Sequence, residues 1–139
     1  MKLSVSEILK KASELNDEAS RIDWLRRNNS VALESILRGA FDQTIKWLLP
    51  EGNPPYKPND IVDQQHRLYT ESRKLYLFIE GGNPNLKQTR REALFIELLE
   101  AVDPEDAKLL LSIKDKKLPY AAITPELVNK TFPGILQKV

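Results

Sequence analysis

Lys114, Lys116 and Lys117 stand in one short run, Lys114-Asp-Lys-Lys117, and Lys87, Arg90 and Arg91 recur at i, i+3, i+4. Both groupings can neutralise the charge of a phosphate or a carboxylate. The helical spacing puts Lys87, Arg90 and Arg91 on one face. The lysine run follows a helix, where cations complement the dipole. A solvated face and a solvated C-terminal cap therefore compete with a phosphate-contacting role. Arg21, Arg26 and Arg27 surround Trp24, a basic and aromatic mixture that suits protein interfaces and nucleic acid, while Trp24 is equally placed to be core. Tyr69 and Tyr76 fall seven residues apart with Arg73 between them, which reads as a stacking surface or as two tyrosines flanking a core with their hydroxyls in water.

No catalytic constellation accompanies these residues. His66 is the single histidine and has no evident serine or cysteine partner, so it reads as a surface or packing residue. Asp103, Glu105 and Asp106 cluster as a metal site would, but the first turn of a helix accounts for them. Neither GxxxxGK[ST] nor GxGxxG occurs, and Gly81-Gly82-Asn83-Pro84 reads as a helix stop before it reads as an anion loop. Cysteine is absent, which removes disulfides and thiolate metal sites. The expectation is a non-enzyme with no metal, no cofactor and no small-molecule substrate.

The totals set the frame for those residues. A chain of 139 residues, 41% hydrophobic and 29% charged, is expected to form a single helical domain over 1–139 with a buried core. The stretch from Met1 to Lys11 has no apolar run fit for a signal peptide, and no segment reaches the roughly 18 apolar residues of a membrane helix. A soluble, cytoplasmic chain follows as the expectation. Lysine and arginine number 21 against 20 acids, for a net charge of +1. A nonspecific nucleic-acid binder usually carries a clear positive excess.

Six to seven helices are expected. Ser4-Val-Ser-Glu7 has capping-box spacing, and the helix after it buries Ile8, Ala12 and Leu15. Asn16 and Asp17 stop it and cap a second helix carrying Ala19, Ile22 and Leu25. After Asn28-Asn29-Ser30, a long helix is expected from Val31 to Leu49, ended by Pro50, with Gly39 inside it to permit close packing. Glu51 to Asn59, holding Gly52, Pro54, Pro55 and Pro58, reads as an ordered surface loop. A fourth helix is expected from Asp60 to Glu80, stopped at Gly81-Gly82. A fifth runs from Asn85 through Ala101. Asp103-Pro104-Glu105-Asp106 starts a leucine-rich helix, and Thr124-Pro125-Glu126 starts a last one that closes at Phe132-Pro133-Gly134.

The run from Phe95 through Leu111, the turn Lys114-Asp-Lys-Lys-Leu118 and the stretch Ile123 to Leu136 resemble a family of small uncharacterised proteins of T-even-like tailed phages, cyanophages included. More distantly, they resemble the N-terminal helical DNA-binding domain of ATP-dependent DNA ligases. That domain also ends in a leucine-rich helix, a basic turn and a short helix closing on aromatic-Pro-Gly-aliphatic. Upstream, Ile8 to Asn28 is similar to its opening helices and Val31 to Pro50 to its long helix. The resemblance implies an all-α fold that grips the minor-groove side of duplex DNA without reading sequence. Carried over residue by residue, it implies contacts at Lys114, Lys116, Lys117, Thr124 and Lys130. The arginine and glycine frequent in the ligase turn are replaced around Lys114 and at Pro119-Tyr120, and the nucleotidyl-transfer domain with its lysine nucleophile has no counterpart.

These strands combine into one expectation: a non-catalytic phage accessory protein that binds duplex DNA through basic helix-end turns, with Lys87, Arg90 and Arg91 as a further face. The alternative is a protein-interaction module, as a virion component or a modulator of a phage or host enzyme. Either would act in the cytoplasm of an infected cell, with virion association as a variant.

Overall fold

Ser4 opens the first helix as its sequence requires. Its hydroxyl accepts the Glu7 amide at 3.1 Å while the Glu7 carboxylate accepts the Ser4 amide at 2.9 Å. In this computed structural model, which describes residues 2–137, the same local grammar sets most helix starts. Asp17, Ser30, Asp103 and Thr124 each cap the helix that follows through the side-chain oxygen. The helices are α1 (Val5–Glu14), α2 (Glu18–Arg27), α3 (Val31–Phe41), α4 (Arg67–Glu71), α5 (Gln88–Ala101), α6 (Pro104–Lys114) and α7 (Pro125–Thr131). A 3-10 segment, Ser72–Phe78, follows α4 directly. Among the described residues these are seven α-helices with no strand, in one all-helical domain.

The core forms around α6. Ala107, Leu109, Leu110, Leu111 and Ile113 are all buried, so its apolar residues wrap the helix instead of lining one stripe. Such a helix belongs in the centre, and α6 packs against α1, α3 and α5. The 3-10 segment closes one side, where Phe78 meets Phe95 of α5 edge to face at 5.3 Å. At the opposite end α2 packs on α1 and α7. There the Arg26 guanidinium donates to the Lys130 and Thr131 carbonyls, the exposed last turn of α7.

Three expected boundaries are corrected. The long helix ends at Phe41, not Leu49. Asp42 turns the chain, its carboxylate taking the Thr44 amide at 2.9 Å and hydroxyl at 2.6 Å. The Trp47 indole then folds back over Gly39 and donates to its carbonyl at 3.0 Å. A Cβ on Gly39 would stand 2.7 Å from Trp47 Cζ2 and 3.1 Å from Ile113 Cδ1, so the missing side chain is what admits the indole. The helix expected from Asp60 to Glu80 shrinks to α4 and the 3-10 segment, with His66 just before it. Asn59 ties this stretch down differently, accepting the Ile61 amide and donating to the Ala101 carbonyl, which leaves Ile61 and Val62 in solvent. The fifth helix begins at Gln88 and not Asn85, because Asn83 instead takes the Leu86 amide in a turn.

The 3-10 segment ends at Phe78, where Ile79 turns extended; beyond it Gly81 has φ 86° and a Cβ on Gly82 would fall 1.8 Å from the Tyr76 carbonyl oxygen, so the glycine pair lets the chain turn back over the segment.

Candidate functional site

The turn after α6 was expected to present lysines to phosphate. It is a Schellman motif: the Lys116 amide donates to the Ile113 carbonyl at 2.9 Å and the Lys117 amide to the Ser112 carbonyl at 3.0 Å. The left-handed position in such a turn is usually glycine, yet here Lys116 occupies it with φ 60°. Its side chain explains the choice. The ammonium donates to the carbonyls of Gly39 at 2.9 Å, Asp42 at 2.8 Å and Ile45 at 3.3 Å, closing the C-terminus of α3. Burial lowers the Lys116 pKa, with the nearby Asp42 carboxylate opposing. Asp42 itself loses solvent, but Thr44, the Gln137 backbone and Lys116 together hold its carboxyl below the usual range.

Lys114 is also turned inward. Its side chain is 1% exposed, and its ammonium donates to the Pro50 carbonyl at 3.0 Å and pairs with Asp115 at 2.9 Å. Pro50 begins the proline-rich loop, which Lys57 and Gly52 fasten further through the Glu100 and Asp115 carboxylates. Arg91 is buried as well. Its guanidinium donates to the carbonyls of Leu77, Asn83 and Leu86 and to the Gln88 side chain, gathering the turn that links the 3-10 segment to α5. Thr124 caps α7, and Lys130 pairs with Glu18 at 2.7 Å. Of the expected contact residues, Lys87, Arg90 and Lys117 are exposed with neither an ion pair nor a side-chain hydrogen bond among the described residues, while Lys116 is exposed but hydrogen-bonded. The expected cationic face of α5 is thus divided, since Arg91 points into the protein while Lys87 and Arg90 point out.

The other two candidate surfaces also resolve. Trp24 is half-buried and donates its indole N–H to the Ile8 carbonyl at 2.9 Å, with the Lys11 ammonium over its ring. Tyr69 and Tyr76 do not share a stripe. Tyr69 donates to the Leu3 carbonyl at 2.6 Å beneath Lys2, whereas Tyr76 is half in solvent on the far side of the 3-10 segment. The change of helical pitch at Ser72 separates them.

A surface that sequence reasoning missed lies beside Tyr76. A groove of about 300 Å³ runs between α3, from Val31 to Gly39, and the 3-10 segment, with Trp47 and Ile79 in its wall and Arg38 and Arg73 among its lining residues. A second depression, about 320 Å³, lies under the proline-rich loop against Phe95 and Ile96. The charge cluster at Asp103, Glu105 and Asp106 resolves into two caps and not a chelate: Asp103 takes the Glu105 amide, and the buried Asp106 takes the Ser6 amide of α1. Among the described residues no group of three or more histidines or carboxylates could hold a metal ion. No helix among them is long and apolar enough to cross a membrane.

The fold and these surfaces define a small all-helical domain in which Arg26, Arg91, Lys114 and Lys116 fasten backbone carbonyls of other segments. Residues 8–120 match DUF6433, a family of unknown function, and the chain belongs to that family. No curated protein matches the sequence.

Proposed function

We propose that this chain is a non-catalytic protein-interaction module. The observation that carries the reading is that three of the residues expected to contact DNA are already bonded to the protein's own backbone. Lys114, Lys116 and Arg91 spend their donors on backbone carbonyls, while the large apolar side chains left in solvent include Val31, Ile61, Val62 and Tyr76. Cations already bonded to backbone carbonyls are less available to a phosphate backbone, and exposed apolar and aromatic groups are what protein interfaces use. The resemblance to tailed-phage proteins supports a setting in the infected host cell, with a phage or host protein as the partner. The test is capture of that partner by the tagged chain during infection. One protein retained in fixed proportion after nuclease treatment is the expected result. Retention that disappears with nuclease overturns the reading.

A second reading, nonspecific duplex-DNA binding by a phage accessory protein, draws on the ligase-domain resemblance. The observation favouring it is that Lys87, Arg90 and Lys117 are exposed without ion pairs among the described residues. Titration of a short duplex at low salt, repeated with K87A/R90A/K117A, measures it. Affinity that falls with added salt, and a shallower slope in the variant, support DNA. No measurable binding removes it.

A further inference from the structure

We propose that the groove between α3 and the 3-10 segment is the docking site, and that it receives an apolar peptide segment flanked by acidic residues. The inference rests on the protein-interaction reading above and names the surface and the chemistry of its partner. Val31 stands on one rim, 76% exposed, and Tyr76 on the other, 52% exposed. Between them Ile45, Trp47, Leu75 and Ile79 supply the apolar wall. Trp47 directs its only donor inward to Gly39, so what it gives the groove is apolar surface.

The charged lining residues are Arg38 and Arg73, and no carboxylate lines the groove with them. Arg73 makes no ion pair or hydrogen bond among the described residues, and Arg38 reaches Glu34 only at 3.8 Å. Two under-used guanidiniums on an apolar groove call for carboxylates on the occupant, placed to either side of its apolar anchors. Tryptophan, tyrosine and arginine are also the residues that dominate binding energy at protein interfaces.

The groove is held open before anything binds. Trp47 and Ile79 form an isolated antiparallel bridge, with the Leu48 amide on the Phe78 carbonyl and the Glu80 amide on the Lys46 carbonyl, both at 2.8 Å. Such a fixed wall reduces the ordering cost of association. A volume of about 300 Å³ lies at the small end of ligand pockets, which suits side-chain anchors better than an enclosed metabolite. Single-stranded nucleic acid also uses tyrosine, tryptophan and arginine, but it needs stacking faces along a basic track. Here aliphatic walls and two arginines favour a peptide.

The test selects short random peptides on the full chain and measures the winners by fluorescence anisotropy. Expected winners combine apolar residues with a net negative charge and bind R38E/R73E about tenfold more weakly or worse. Replacing their acids with lysines restores binding to R38E/R73E and weakens binding to the unaltered chain. Selection of neutral or basic peptides, no selection at all, or equal affinity for the variant each overturns the proposal. So does displacement of the peptide by a single-stranded oligonucleotide, or a concentration-dependent dimer that V31D abolishes, which would make a second copy the occupant. These side chains are at the surface, and an unchanged melting curve establishes that the variants fold. A partner captured equally by R38E/R73E would overturn the groove assignment while leaving the protein-interaction reading standing.

Discussion

The Asp106 carboxylate accepts the Ser6 backbone amide at 2.9 Å, so a residue in the first turn of α6 caps a helix one hundred positions earlier. Its second oxygen is buried with no hydrogen-bond partner. The hydroxyls of Tyr69 and Tyr120 lie on the same side of the core and donate instead to the Leu3 and Ser6 carbonyls. Burial lifts the Asp106 carboxyl to about 6, with Asp103 and Glu7 adding to the lift and the Ser6 bonds opposing it.

A stability profile follows from that carboxyl. Its folded value exceeds the ordinary 3.8, so the folded chain holds the proton more tightly than the unfolded one. The associated stability is present below the ordinary value and lost as pH rises through about 6. The loss at neutral pH amounts to about 3 kcal/mol at most. Denaturation in urea across this range should show the chain gaining stability as it is acidified from neutrality toward pH 5. D106N keeps an acceptor for Ser6 without the charge and should flatten that slope. A slope unaltered in D106N would assign the titration to another group.

Lys116 should be worth more to the fold than its place in a surface turn suggests. K116A removes three bonds to the end of α3 yet keeps a side chain in the left-handed position, costing about 2–3 kcal/mol. K116G loses the same bonds but relieves the backbone, and should recover about 1 kcal/mol of that loss. Chemical denaturation of the pair measures both contributions. Equal stability of the two variants would mean that the turn stores no strain.

Gly39→Ala tests why α3 stops at Phe41. Alanine favours a helix by about 1 kcal/mol, but displacing the Trp47 ring from a filled slot costs about 1–3 kcal/mol. A net loss is expected, with a change in Trp47 emission read in a W24F background. Gained stability and unaltered emission would show that the indole has room to yield.

Arg91→Lys keeps the charge and loses the fork. One ammonium cannot reach Leu77, Asn83, Leu86 and Gln88 as the guanidinium does. A loss of about 2 kcal/mol is expected, with faster hydrogen exchange in the turn between the 3-10 segment and α5. Lys117→Ala should change stability by less than about 0.5 kcal/mol, since that side chain is exposed. A destabilised K117A would place Lys117 among the structural lysines.

How far the chain could be read in advance depended on the range of the forces involved. The caps at Ser4, Asp17, Ser30, Asp103 and Thr124 join residues two or three positions apart, so their spacing was visible. The helical spacing of apolar residues such as Ile8 and Ala12, or Leu33, Ile36, Leu37 and Ala40, made the all-helical class visible. The overlong third helix followed from Ile45 and Leu48, which continue the apolar stripe; the counter-signal was Asp42 with Thr44, a turn pair two residues apart. The fourth failed because Ile61 keeps the period with Leu68, Leu75 and Ile79 but meets no core. The candidate site was least legible, because whether Lys114, Lys116 and Arg91 face solvent is decided by carbonyls from other elements. Spacing identifies a cation but not the partner it has already taken.

The closure of α3 by Lys116 bears on synthesis as well as on stability. As the chain leaves the ribosome, the carbonyls at Gly39, Asp42 and Ile45 emerge long before the lysine that will hold them, and α1 emerges long before Asp106. The helices before Asp42 therefore wait, with their ends open, until α6 and the turn after it have emerged. Folding is thereby tied to the emergence of Lys116, and a product terminated before it would be left open to proteases.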